Sequence, residues 1–218
     1  MTTTAKIINY DGSLLVISPD EKLDRDIMQK QAERIEIRLI DGREITALQR
    51  RKIFALIRDI ALWSGHDPEY LRELLTWEFV KRIEGNYFSL SNVDRSTARD
   101  FISYLIDFCF TWDIPTKDTL LNQTDDLERY LYLCLEHRKC AVCNGHADVH
   151  HVDRIGMGFD REKVVHVGLL AVALCRGHHE TAHCNEKEFF AEKHIFGIRL
   201  DEYLCKRLRL NTKGRRRT

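Results

Sequence analysis

Proline, tryptophan and methionine each occur only three times in 218 residues, and net charge is absent, with 34 lysines and arginines against 34 acids. A proline content this low excludes a collagen-like or polyproline chain. The 31% of charged and 44% of hydrophobic residues exclude a disordered one. No apolar run approaches the ~18 residues that span a bilayer, so no membrane partner is expected. The opening MTTTAKIINYDG lacks the apolar stretch of a secretory signal, which makes the cytoplasm the expected location. Zero net charge, taken whole, argues against nucleic acid, whose binding domains are usually basic. Cysteine is nearly missing from the first 130 residues, where only Cys109 stands, in a run whose spacing suits a buried helical face. The other six fall between Cys134 and Cys205, and an odd total without signs of secretion excludes a disulfide framework.

The neutrality is a sum of opposites. Residues 206–218 hold seven basic side chains and no acid, which leaves 27 basic against 34 acidic groups in residues 1–205. A concentrated basic tail that includes Arg215, Arg216 and Arg217 is a candidate phosphate contact.

The patterning predicts an α+β chain of two units: an N-terminal mixed helix and short-sheet domain over 1–120, and a C-terminal zinc domain over 121–218. IINYDGSLLVIS reads as a hairpin turning at Asp11-Gly12, and IEIRLIDGREIT as a second one at Asp41-Gly42. Thr46 with Gln49 three residues on has the form of a capping box. The helix that follows predicts an apolar stripe of Ile53, Phe54, Leu56, Ile57, Ile60 and Trp63, ending at Gly65. Asp67-Pro68 opens the next helix, which carries Leu71, Leu74, Leu75 and Val80. A third starts near Ser96 with Phe101, Ile102, Leu105, Phe108 and Trp112. Residues 116–125 read as a polar connection, and about Thr124 to Glu136 as a helix. Trp63, Trp77 and Trp112 are expected in the core rather than as base-stacking platforms.

Chemistry is concentrated between Cys140 and His183, which hold seven of the ten histidines. Cys140-x-x-Cys143 and Cys175-x-x-His178 are two ligand pairs at the spacing of a tetrahedral structural zinc site. Cys184, beside His183, is a competing ligand that would shift the assignment by one pair. A second set is interleaved. His150 and His151 are adjacent at the end of an expected strand, with rings on opposite faces. His179 and His183 lie four apart on one helix face. His150, His179 and His183 together offer three imidazoles to a divalent ion with open positions, Mg²⁺ or another, and leave His151 free as a base. The alternative makes the four histidines a second structural zinc site or solvated surface.

The arrangement C-x2-C…HH…C-x2-HH-x3-H resembles the HNH endonuclease family, whose ββα-metal fold grips one ion between a hairpin and a helix. IGMG, LCRGHHETAH and the closing FFAEKHIFGI resemble its phage branch most closely, which would put the protein in a bacterial host. The resemblance covers about residues 138–200. It implies His151 as general base, His150, His179 and His183 as catalytic-metal ligands, and Cys140, Cys143, Cys175 and His178 as zinc ligands. One departure is clear: no Asn lies between Asn144 and Asn185 to serve as the family's middle residue. His166 is the substitute by position, through a ring N–H to a backbone carbonyl, or else a bystander on a strand.

REITALQRRKIFALIRDIALWSG, the Asp67-Pro68 helix and SLSNVDRSTARDFISYLIDFC resemble, over roughly 34–115, the phage Orf (NinB) recombination-mediator family. That resemblance implies a homodimer binding single-stranded DNA beside a single-strand-binding protein and a recombinase or annealing protein. Arg50, Arg51, Lys52, Arg58, Lys81, Arg82, Arg95 and Arg99 would contact DNA, or form a solvated face balanced by Asp59, Glu78, Glu84 and Asp100. Arg154 and Arg161 flank the IGMG loop and are weighed equally as DNA contacts or surface. The function expected is a phage-type HNH endonuclease in recombination, acting on single-stranded or branched DNA. The alternatives are a non-catalytic mediator whose zinc module only binds DNA or stabilises the fold, and a zinc-ribbon protein adaptor.

Overall fold

The computed structural model describes residues 5–19, 43–152 and 164–212. The hairpin expected at Asp41-Gly42, the IGMG loop, Arg154, Arg161 and Arg215 to Arg217 lie outside them.

Strands β1 (Ala5–Tyr10) and β2 (Leu15–Pro19) pair antiparallel, Ala5 opposite Pro19 and Tyr10 opposite Leu15. Asp11 makes the turn by accepting from the N–H groups of Ser13 (2.9 Å) and Leu14 (2.8 Å), with Gly12 at φ +97°. The hairpin is the one anticipated at Asp11-Gly12.

Helices α1 (Ala47–Ser64), α2 (Pro68–Arg82) and α3 (Arg95–Thr111) form the N-terminal layer. Their starts follow from local chemistry. Thr46 and Gln49 make the full capping box, Asp67 caps α2 with Pro68 in its first turn, and Asp94 caps α3. A short antiparallel bridge between Glu44 and Asp94 sets α1 and α3 off side by side, with Ile45 N–H donating to Val93 O at 2.7 Å and Arg95 N–H to Arg43 O at 2.8 Å. Ile53, Leu56, Ile57 and Ile60 of α1 are buried against Phe101, Ile102 and Leu105 of α3, and Gly65 closes α1 in the left-handed region.

The stripes expected from spacing are wrong at four aromatic positions. Phe54, Trp63, Trp77 and Trp112 are exposed by 40, 47, 59 and 57%. Trp63 and Trp112 fall at helix ends, where the period continues past the last packing partner. Trp77 lies opposite the buried face of Leu71, Leu75 and Phe79 and rests on Tyr87 instead, ring centroids 5.0 Å apart. Leu74 shares that outward face.

The connection contains a one-turn helix α4 (Leu120–Gln123) that drops Leu120 into the core, a correction to the polar link expected at 116–125. Helix α5 (Leu127–Glu136) follows, capped by Asp126, and buries Tyr130, Leu131, Leu133, Cys134 and Leu135. The buried apolar residues run as one cluster from Ile45 to Leu208.

Strand β3 (Asp148–His151) pairs antiparallel with β4 (Leu170–Leu174), and β4 with β5 (Ile198–Arg199). Helix α6 (Arg176–Lys193) leaves the end of β4 directly and packs on β3 and β4, with a break in its dihedrals at Asn185. Helix α7 (Glu202–Leu208) closes the unit with Cys205 buried in it. The result is the mixed α+β fold anticipated, and β3, β4 and α6 carry the chemistry.

Candidate functional site

Two donor clusters stand on these elements. The first is built on a knuckle between α5 and β3. Lys139 and His146 bridge, Cys140 N–H donates to Gly145 O at 2.7 Å, and Asn144 N–H returns to Cys140 O at 2.9 Å with Asn144 at φ +60°. Ala141 N–H donates to Ala173 O at 2.9 Å, which ties the knuckle to β4, one residue before the strand ends and Cys175 begins α6. Cys140, Cys143, Cys175 and His178 therefore converge, their ligand atoms all within 4.8 Å of one another. The Sγ atoms of Cys143 and Cys175 are 3.8 Å apart, and His178 Nδ1 lies 3.4 Å from Cys140 Sγ and 3.2 Å from Cys175 Sγ. A tetrahedral zinc, with bonds of about 2.3 Å to sulfur and 2.0 Å to nitrogen, places such atoms about 3.8 and 3.5 Å apart. The donor set fits zinc.

The thiols of Cys140 and Cys175 are shifted in opposite directions. Burial pushes Cys140 up to about 11. Burial would also raise Cys175, but the N–H groups of His178 and Gly177 at the start of α6, with the neighbouring thiols, carry it below the usual value. Cys184 is exposed and outside the cluster, so the shifted pairing is not what the fold assembles.

A buried latch braces the knuckle. Tyr130 is 1% exposed, and its hydroxyl donates to Ala141 O at 2.9 Å while accepting from Asn144 Nδ2 at 2.7 Å. Tyr130→Phe leaves Asn144 Nδ2 without that acceptor and should cost about 1–3 kcal/mol, read as a lower urea midpoint at unchanged slope.

The second cluster is the three imidazoles of His150, His179 and His183, whose ligand atoms also lie within 4.8 Å of one another. His150 points inward from β3 and is 1% exposed. Its ring centroid lies 4.7 Å from that of His179 and 5.0 Å from that of His183, and those two stack at 4.8 Å one turn apart on α6. Burial, reinforced by the other two rings, lowers the His179 pKa, which favours the neutral, metal-binding imidazole. His151 belongs to neither cluster. It is half-buried, pairs with Ala171 across the sheet, and has its ring centroid 4.8 Å from that of His166. His166 is held by its backbone, N–H to Asn211 O at 2.9 Å, and burial lowers its pKa. Its Nδ1 has no hydrogen-bond partner among the described residues.

Glu186 is a neighbour that reading the sequence missed: its Oε2 lies 2.8 Å from His150 Nε2. The signal was in the spacing, since His179, His183 and Glu186 follow at i, i+4 and i+7, the period of a regular helix face.

The candidate DNA contacts divide. Arg50 donates to the carbonyls of Leu90 and Ser91, both at 2.9 Å, and Lys52 to Thr124 O at 2.6 Å and Asp125 at 2.5 Å, so both are spent inside the fold. Arg51 and Arg58 are exposed on one face of α1, without a side-chain partner among the described residues. Arg95 is half-buried at the start of α3, and Arg99 reaches Asp100 at 3.4 Å and Asp126 at 3.8 Å. Arg82 pairs with Asp107 at 3.1 Å, and Lys81 is exposed. No helix among the described residues is long and apolar enough to cross a membrane.

The model of one protein family, described as "Putative HNHc nuclease", matches residues 19–211 and so takes in the helical layer together with both donor clusters. No curated protein and no solved structure matches the chain.

Proposed function

The chain belongs to the HNHc nuclease family, and from that membership we propose that it is a metal-dependent DNA endonuclease of phage type acting in recombination, with His151 as general base. The observation that carries the reading is the convergence of His150, His179 and His183 at the junction of β3 and α6, with His151 next in sequence and outside the donor set. Three imidazoles leave coordination positions open, unlike the closed set around Cys140. A divalent cation held there, Mg²⁺ or another, would supply positive charge to the phosphate and to the departing oxygen.

The remaining chemistry falls to side chains. His151 accepts a proton from the attacking water as the new O–P bond forms. The P–O3′ bond breaks, and the 3′ oxygen takes a proton from solvent. The products are a 5′-phosphate and a 3′-hydroxyl. His166, whose ring lies beside that of His151, takes the orienting place of the missing middle Asn. With zinc bound, the Cys140 cluster would hold the knuckle against the start of α6 and so fix where His179 and His183 point.

The N-terminal helices would deliver DNA, single-stranded or branched, with the exposed Arg51 and Arg58 as contacts on α1. A homodimer working beside a single-strand-binding protein and a recombinase or annealing protein is the setting this reading implies. Plasmid nicking in Mg²⁺ or Mn²⁺ tests it. Protein with both sites loaded that binds DNA and leaves it intact would favour the non-catalytic mediator. Deleting residues 213–218 removes Lys213, Arg215, Arg216 and Arg217. We expect weaker DNA binding, with the slope of log K against log[salt] reduced by up to about 3 in anisotropy titrations.

A further inference from the structure

We propose that Glu186 is the positioning carboxylate of the three-histidine site, holding His150 as its Nε2–H tautomer so that Nδ1 is the atom left to meet a divalent cation. The inference rests on reading His150, His179 and His183 as a metal site, but not on nuclease activity.

His150 is among the few buried polar side chains, 1% exposed. Its two ring nitrogens are treated differently. Nε2 lies 2.8 Å from Glu186 Oε2, while Nδ1 is buried and has no hydrogen-bond partner among the described residues. A carboxylate oxygen only accepts, so the shared proton sits on Nε2, which in the neutral ring leaves the lone pair on Nδ1. Leaving a buried polar atom unmatched costs about 1–3 kcal/mol. The cost is offset if the atom meets a ligand, and the rings of His179 and His183 lie within 5.0 Å of that of His150.

Glu186 is not one of the atoms that converge with the three imidazoles, so its contact is with the ligand rather than in the ligand set. A carboxylate on the far nitrogen fixes the tautomer and ring angle and makes the near nitrogen more basic, and losing such a partner typically weakens metal binding 10–100-fold. Its position fits that role. It follows His179 and His183 in sequence, immediately after the break at Asn185, and its own side chain is 35% exposed, so truncation leaves no buried void.

The test is Mn²⁺ affinity by calorimetry, on protein already carrying zinc in the Cys140 cluster. Glu186→Ala should weaken Mn²⁺ binding 10–100-fold without changing zinc content or the melting profile. Glu186→Gln, whose side-chain carbonyl still accepts from Nε2–H, should retain most of the affinity. Long-range ¹H–¹⁵N correlation spectra of the His150 ring should show the proton on Nε2 in wild type and a mixture of tautomers in Glu186→Ala. Unchanged affinity in Glu186→Ala, or a proton on Nδ1 in wild type, overturns the proposal. So does equal loss in both variants with an altered Co²⁺ spectrum, which would make Glu186 a direct ligand. A wild-type protein that binds Mn²⁺ in this manner but never cuts DNA would sink the nuclease reading and leave Glu186 in place.

Discussion

His151→Ala is expected to lower metal-dependent DNA cleavage by about 10²–10⁴-fold while both donor clusters keep their ions. The two halves of that statement come from different facts. The rate loss follows from the proposed role of His151, which lies next to the cluster in sequence and would take the proton from water. The retained ions follow from geometry: His151 is in neither group of converging ligand atoms. Its strand is held by backbone pairing to β4, His151 opposite Ala171, and by the buried His150 beside it, so the substitution does not displace the ligands. His150→Ala is the informative contrast. It should lose comparable activity and Mn²⁺ binding together. Cleavage by His151→Ala equal to wild type would remove this residue as the base.

The convergence of Cys140, Cys143, Cys175 and His178 was legible in the sequence because coordination demands fixed residue types at fixed spacing. The helix starts were legible for a similar reason: Thr46 with Gln49, and Asp67 with Pro68, satisfy backbone groups within four residues of themselves. What failed was everything decided by a distant partner. Arg50 and Arg51 are indistinguishable as letters, yet only Arg50 reaches carbonyls 40 residues away. Phe54 fits the period of α1, but the face it extends meets no second helix, so it stays 40% exposed. Tryptophan invites a core assignment by its apolar area, although its size makes full burial rare. Glu186 went unnoticed because a glutamate on a helix is ordinary until β3 docks and brings His150 Nε2 to it.

Stripping zinc from the Cys140 cluster should cost more stability than any single core truncation. Cys140 is fully buried within the main core, among Ala141, Ala147, Val172 and Leu174. The ion would cross-link the knuckle, the end of β4 and the first turn of α6, adding to the backbone bond from Ala141 to Ala173. Apparent zinc-binding free energies in small modules reach about 10–16 kcal/mol near neutral pH, against a typical total stability of about 5–15 kcal/mol. Without the ion, burial opposes ionising Cys140, and four ligand groups are left facing one another unbridged. Cys175→Ser should therefore lose zinc, melt well below wild type, and lose Mn²⁺ binding at the other cluster, because His179 and His183 lie on the helix that Cys175 begins. Cys184→Ser is the matched control, an exposed thiol on the same helix outside the donor set, and should behave as wild type. Zinc analysis and calorimetric melts on the three proteins decide it. Full zinc and an unchanged melt in Cys175→Ser would mean that the closed tetrahedral site is not what holds the knuckle to α6.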